Sequence, residues 1–368
     1  VRQVGAEVEK EPPRLSELRQ GDHWGGYPYG KYSTDQGLAV GLFGRRFDYG
    51  RAERLPFEDL ETAQLSYATK GPIFFYGSFD KTHVGSEDLR VHSDLTILRD
   101  PFHRYYGLGP NTTYALELDN SGYYFYTLNT VDLENTVRKN ISPGVDLNFG
   151  LSFVGYSLVP NGAQTLFSSD FSGQNSSGFY GKFLLGITVE ARDYEFITSS
   201  GYYLLSSVTL SPAFLGTQDY WLRLDDDFRY YIPIIKNRWL WTAHQFRYSL
   251  STANAPLIEK SRLGGQSTFR GLPLSRYVAE YSYSLRSDIR SIFIRMNVFG
   301  LPLKAGGGFF VDMGQVGDDI TRLFPSPFHL GCGISGFASY FTDDFLGSAD
   351  LGFAEGNVTL YVGLGHAF

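Results

Sequence analysis

From Gln36 onward the chain exchanges apolar and polar residues at every second position, segment after segment. Val145, Leu147, Phe149, Leu151 and Phe153 share one face of a strand, and Asp146, Asn148, Gly150 and Ser152 share the other, because successive strand side chains point to opposite sides. Tyr220, Leu222, Leu224, Phe228 and Tyr230 repeat the pattern against Arg223, Asp225, Asp227 and Arg229. So charged a second face does not suit the core of a soluble sandwich; it suits a wet or salt-bridged barrel lumen. The last segment alternates Val358, Leu360, Val362, Leu364, His366 and Phe368 with Thr359, Tyr361, Gly363, Gly365 and Ala367, and so ends on an aromatic.

The pattern predicts strands near 36–48, 59–69, 72–82, 87–98, 112–118, 121–139, 143–156, 178–193, 201–212, 219–233, 238–252, 276–291, 303–314, 328–340, 344–353 and 357–368. The fold class expected is all-β, a transmembrane antiparallel β-barrel of about sixteen strands, occupying 36–368. Residues 1–35 carry charge and proline without a period of two and read as a short periplasmic segment. The turns Lys70-Gly71-Pro72, Ser142-Pro143-Gly144 and Lys236-Asn237 are short enough to be periplasmic, whereas the polar stretches 161–178 and 251–276 would face outward.

Composition sharpens this picture. With 26 Tyr, 30 Phe and 42 Gly but 2 Met in 368 residues, the chain suits strands and tight turns better than packed helices. No apolar run approaches the roughly 18 residues that a spanning helix requires, and a mean hydropathy of −0.19 is compatible with strands that face lipid on one side only. A net charge of −7 gives no basic stripe for nucleic acid. Cys332, the single cysteine, can form no internal disulfide and is expected to pack as a small apolar group. No signal peptide is visible at Val1, so an exported protein would start at or after its cleavage point here.

Familiar catalytic handles are missing. The seven histidines are scattered without zinc spacing, and neither a G-x-S-x-G nor a Walker loop occurs, so no catalytic residue, metal or cofactor is assigned. Asp225-Asp226-Asp227 invites a calcium reading, yet on a strand Asp226 points away from its neighbours, and a salt-bridged lumen wall is the better reading. Trp221, Trp239 and Trp241, with Tyr220, Tyr230 and Tyr231, are expected to form part of an interfacial aromatic girdle.

One stretch goes beyond pattern. Arg262 to Tyr277 reads RLGGQSTFRGLPLSRY, and with it the chain resembles the BamA/TamA superfamily of outer-membrane assembly barrels, whose sixth loop folds back into the lumen with an Arg-Gly dipeptide at its tip. The matching positions are Gly264, Gly265, Arg270 and Gly271. Asp288 with Arg290, and Phe310, Asp312 and Gly314, resemble motifs of the following two strands, and Glu190, Arg192, Asp193 and Gly201 resemble a strand-to-turn element. Tyr106-Gly107-Leu108-Gly109 is similar to a further element of many members. The resemblance implies that Asp288 and Asp312 accept the Arg270 fork in the lumen, and that Phe368 is the C-terminal assembly signal. It also implies an outer membrane of a Gram-negative bacterium, and a role in inserting proteins or perturbing and moving lipid. The 35 residues ahead of the predicted barrel are too few for a POTRA domain, and Leu272 replaces the aromatic that commonly follows Arg-Gly. Partners implied are outer-membrane lipids, client barrels or a separate periplasmic chain, and a second copy in a homodimer. The rival readings are a transport pore, for which an anchored Arg270 predicts small and unsteady conductance, and a structural oligomeric barrel.

Overall fold

In a computed structural model, the described residues are 21–49, 57–85, 89–171, 177–194, 196–217, 219–235, 238–319, 328–340 and 346–364. Sixteen antiparallel strands close into one barrel. The first eight are β1 (Asp22–Ser33), β2 (Gly37–Asp48), β3 (Asp59–Ala68), β4 (Ile73–Lys81), β5 (Leu89–Arg104), β6 (Phe125–Ser142), β7 (Val145–Pro160) and β8 (Ser177–Glu190). Next come β9 (Gly201–Ser211), β10 (Trp221–Ile235) and β11 (Leu240–Ser251). A separate ribbon, β12 (Ser261–Leu263) with β13 (Tyr277–Ala279), lies inside the long connection that follows. The wall resumes with β14 (Tyr281–Val298), β15 (Leu301–Gly317), β16 (His329–Tyr340), β17 (Leu346–Ala354) and β18 (Asn357–Leu364). Closure matters because lipid offers no partner to a bare strand edge.

The alternation seen in the sequence sorts the two faces. Phe149, Leu185, Phe228, Phe309 and Leu330 are exposed on the outside, and Asn148, Asp227, Arg286 and Asp312 are buried on the inside. Asp227 is bonded by Arg229 and Gln245, and Asp225 by Arg223, while Asp226 sits on the outward face opposite Tyr248. Cys332 is exposed on the outward face of β16 between Leu330 and Ile334.

Four expectations need correction. The barrel starts at Asp22 rather than 36: β1 lies inside the segment read as periplasmic, its outward positions being Trp24, Gly26, Pro28, Gly30 and Tyr32. Glycine and proline on that face erase the apolar signal, and a strand at a seam tolerates them because one of its edges needs no full ladder. The stretch 112–118 is no strand; β5 continues to Arg104 past a bulge, and the connection that follows holds a short helix, Leu116–Asn120. One strand missed and one overcounted leave the total at sixteen. Restoring β1 also moves Lys70-Gly71-Pro72 to the rim of the long connections, where a Cβ at Gly71 would fall 2.6 Å from the Pro101 ring. Lys236-Asn237 lies outside the described residues.

The fourth correction concerns the aromatics. Trp221 and Trp241 are 0% exposed and Tyr231 2%, all on inward positions, whereas Trp239, Tyr220 and Tyr230 are exposed. Trp221 and Tyr231 share the phase of Arg223 and Asp227, so the strand's own alternation overrides the habit of placing tryptophan at a membrane edge.

Apolar clusters sit at both ends of the lumen. On the rim of the long connections, Phe167 of the short helix Leu166–Phe171 packs with Tyr105, Tyr126, Leu128, Leu257 and Val278. Toward the other rim, Ile197 from the β8–β9 connection packs with Trp241, Ile292, Phe337 and Leu346.

Among the described residues the seam is the most sparsely paired junction of the wall. Between β1 and β18 only two residue pairs are in register among the described residues, Tyr32 with Val362 and Ser33 with Tyr361, against twelve for β1–β2 and eight for β17–β18. One more rung follows, in which Thr34 donates its N–H to the Leu360 carbonyl at 3.0 Å and its hydroxyl accepts from Leu360 N at 2.8 Å. All of this lies at the rim of the long connections; Lys31 and Gly30, opposite Gly363 and Leu364, are not paired to them.

Candidate functional site: the loop between β11 and β14

This connection enters the lumen through its ribbon, turns at Gly264 and Gly265, and presents Phe269 to Leu274 to the inner wall. Gly264 has φ +118° and Gly265 φ +92°, conformations that L side chains avoid, so the turn requires glycine here. Gly314 on β15 leaves room for Leu263, whose side chain a Cβ would meet at 2.7 Å. Leu263, Phe269, Leu272, Tyr277, Ala279, Val316 and Ala354 form a buried cluster around the tip. At 272, leucine fills that space, 0% exposed.

Arg270 is itself 0% exposed and makes five hydrogen bonds to two carboxylates. Asp312 on β15 accepts from its backbone N–H at 2.8 Å, from Nε at 3.0 Å and from Nη2 at 2.6 Å. Asp288 on β14 accepts from Nη1 at 3.1 Å and Nη2 at 2.6 Å. The guanidinium lies 3.6 Å from the centre of the Phe310 ring. Taking an arginine out of water costs several kcal/mol per ion, and only such complete pairing offsets it.

The structure thus brings Gly264, Gly265, Arg270, Gly271, Asp288, Phe310, Asp312 and Gly314 into one region. Arg192 and Asp193 are elsewhere, at the β8–β9 connection. There Arg192 bonds Glu190, and Asp193 gathers the N–H groups of Tyr194, Ser199 and Ser200, organising a turn. Gly107 and Gly109, both at positive φ, shape a connection whose Gly109 N–H meets the Val278 carbonyl of the ribbon at 2.8 Å. Phe368 lies outside the described residues.

Several participants carry no motif. Asp350 on β17 is 3% exposed, with Oδ1 3.8 Å from Arg270 and Oδ2 3.4 Å from the Gln266 amide. Arg286, inward on β14, adds positive charge beside Asp312, as the motif residue Arg290 does beside Asp288. Gly352 lets the loop backbone pass, since a Cβ there would stand 2.5 Å from the Arg270 carbonyl, and the Thr359 hydroxyl donates to that same carbonyl. The period of two in Arg286-Ser-Asp288-Ile-Arg290 is the signal that could have found Arg286.

A Cβ at Gly271 would fall 2.7 Å from the Ala354 Cβ and 2.9 Å from the Phe353 carbonyl oxygen, which is backbone and cannot swing aside. Gly271→Ala is therefore expected to destabilise the folded barrel by about 1–3 kcal/mol, the usual cost of overpacking. Unfolding midpoints in denaturant measure it, and an unchanged midpoint would refute the packing of the tip against β17.

No family model matches the chain, and no curated protein matches it. Solved structures do. BamA from Haemophilus ducreyi lacking POTRA domains 1–3 aligns with a TM-score of 0.63 and 11% identity, over 94% of this chain and 70% of that one. CdiB from Escherichia coli aligns with a TM-score of 0.58 and 13% identity, over 93% of this chain and 62% of that one. At such identities the likeness is one of fold, and the chain has the sixteen-stranded barrel fold of the BamA/TamA type.

Proposed function

We propose that this barrel serves outer-membrane biogenesis in a Gram-negative bacterium, assisting the insertion of barrel proteins or the movement of lipid at its seam. The observation that carries the reading is that, among the described residues, the seam has two residue pairs where β1–β2 has twelve and β17–β18 eight. A strand edge that is only partly satisfied exposes N–H and C=O groups, which either recruit another strand or disturb the lipid beside them. The partners are outer-membrane lipids and client barrels, with a separate periplasmic chain or a second copy as further candidates. No covalent chemistry enters. A pore is the weaker reading, because the loop tip and its carboxylates occupy the inner wall.

The test locks the seam reversibly. Tyr32→Cys with Val362→Cys, in a Cys332→Ala background, places two thiols opposite one another. A small client barrel is then folded into lipid vesicles with the reduced or the oxidised protein. Acceleration by the reduced form, lost on oxidation and restored by reductant, is the expected result. Equal acceleration by both forms would remove the seam from the mechanism. No acceleration by either form would end the insertion reading and leave lipid movement, measured by exchange of a labelled lipid between leaflets.

A further inference from the structure

Asp35 occupies the turn between β1 and β2, directly after the last rung of the seam. It is 9% exposed, and its carboxylate has three partners from three parts of the chain. Oδ1 accepts the Leu274 backbone N–H at 3.1 Å and Arg104 Nη1 at 3.4 Å. Oδ2 accepts the Tyr361 hydroxyl at 3.0 Å. Tyr361 belongs to β18 and stands opposite Ser33 in the seam. Leu274 lies four residues beyond Arg270, in the same loop tip. Arg104, at the end of β5, is held in turn by Asp119 through Nε at 3.1 Å and Nη2 at 3.2 Å.

From these contacts we infer that Asp35 is the latch of the seam, a positioning residue that couples the docking of the Arg270 loop to the closure of β1 against β18. The inference rests on the seam being the working part of the barrel. The chain of contacts is continuous: Asp312 and Asp288 hold Arg270, Thr359 of β18 holds the Arg270 carbonyl, and Leu274 and Tyr361 meet on Asp35 of the β1–β2 turn. Among the described residues the rungs of the seam all lie next to this carboxylate. The loop tip is therefore bonded to both sides of the seam at the place where it is closed. Withdrawal of the tip removes a donor from Asp35 and exposes a carboxylate that had been buried and paired. The same event removes the Leu272 carbonyl, 3.4 Å from the Tyr361 hydroxyl, and leaves Asp35 as that hydroxyl's acceptor. Hydrogen bonds to a charged group are the stronger kind, so one aspartate can bias a seam that has two residue pairs among the described residues.

Spin labels at Gly30→Cys and Leu364→Cys, in a Cys332→Ala background, report the seam just beyond its last closed pair. A control pair, Leu204→Cys with Phe228→Cys, reports two fully paired neighbours on β9 and β10. Asp35→Ala is expected to raise the population of long seam distances on the order of tenfold, the effect of losing charge-assisted hydrogen bonds, while the control pair stays fixed. Tyr361→Phe, which keeps the ring and loses one bond, is expected to move the seam in the same direction by less. Heat-dependent gel migration establishes that each variant is folded. If Asp35→Ala does not fold, Tyr361→Phe decides. An unchanged seam in the folded variants overturns the latch, as does a shift of the control pair equal to that of the seam. Client folding is not read in this experiment, so a fixed seam would sink the latch and leave the insertion reading to its own test.

Discussion

Arg270→Ala is expected to destabilise the barrel by roughly 3–5 kcal/mol, the largest effect of any single substitution in the loop. The size follows from what remains behind. Asp288 and Asp312 are each 0% exposed at the side chain, and the variant leaves them facing one another across an emptied space. Arg290 still bonds Asp288 at 2.9 Å, but Arg286 stands 3.7 Å from Asp312, so the second carboxylate loses most of its compensation. Phe310 also loses the cation on its ring. Arg270→Lys keeps the charge but lacks the planar fork that serves two carboxylates at once, and should recover less than half of the loss. Two measurements check this. The denaturant midpoint should fall in the order wild type, Lys, Ala. Trypsin should also gain access to Arg276, which is 4% exposed while the loop is docked. A folded Arg270→Ala barrel that stays resistant at Arg276 would show that the loop is held without its arginine.

What the sequence made legible follows from which forces act along the strand and which act across space. The alternation of Val145 to Phe153 is readable because both faces of β7 meet uniform surroundings, lipid outside and polar wall inside. In β1 the same geometry is hidden, since Gly26, Pro28 and Gly30 stand where apolar side chains would advertise the outward face. Trp221 and Trp241 were misplaced by residue type although their phase placed them correctly. Arg270, Asp288 and Asp312 could be named from the sequence because a buried arginine demands carboxylates and a resemblance supplied the positions. Asp35 could not. Its partners, Arg104, Leu274 and Tyr361, lie 69, 239 and 326 residues away, and no local pattern records them.

The loop has a second anchor, and acid should release it. Glu259 ends a short 3-10 turn, Leu257–Glu259, where the chain leaves β11 for the lumen, and it is 7% exposed. It accepts the Tyr180 hydroxyl at 2.6 Å and Lys182 Nζ at 2.9 Å from β8, and Arg223 Nη1 of β10 lies 3.4 Å away. β8 lies four strands round the wall from β14 and five from β15, so the loop is braced from two separate parts of the wall. Burial pushes the Glu259 carboxyl up, but the charges of Lys182 and Arg223, with the hydrogen bonds from Tyr180 and Lys182, outweigh it and hold the group below its ordinary value. A carboxyl depressed in the folded state contributes its full stability above the unfolded value, about 4.3, and loses it as the pH falls through the folded value. Glu259→Gln should cost about 2 kcal/mol at neutral pH, less than Arg270→Ala because Lys182 keeps Asp132 at 3.7 Å and Arg223 keeps Asp225 at 2.7 Å. The discriminating quantity is the difference in stability between wild type and variant as a function of pH, in which carboxylates distant from the site cancel. That difference should hold steady from pH 7 to about 5 and shrink below about 4.3. A difference that stays constant into acid would mean that Glu259 braces the loop by shape alone, and that its charge contributes nothing to the fold.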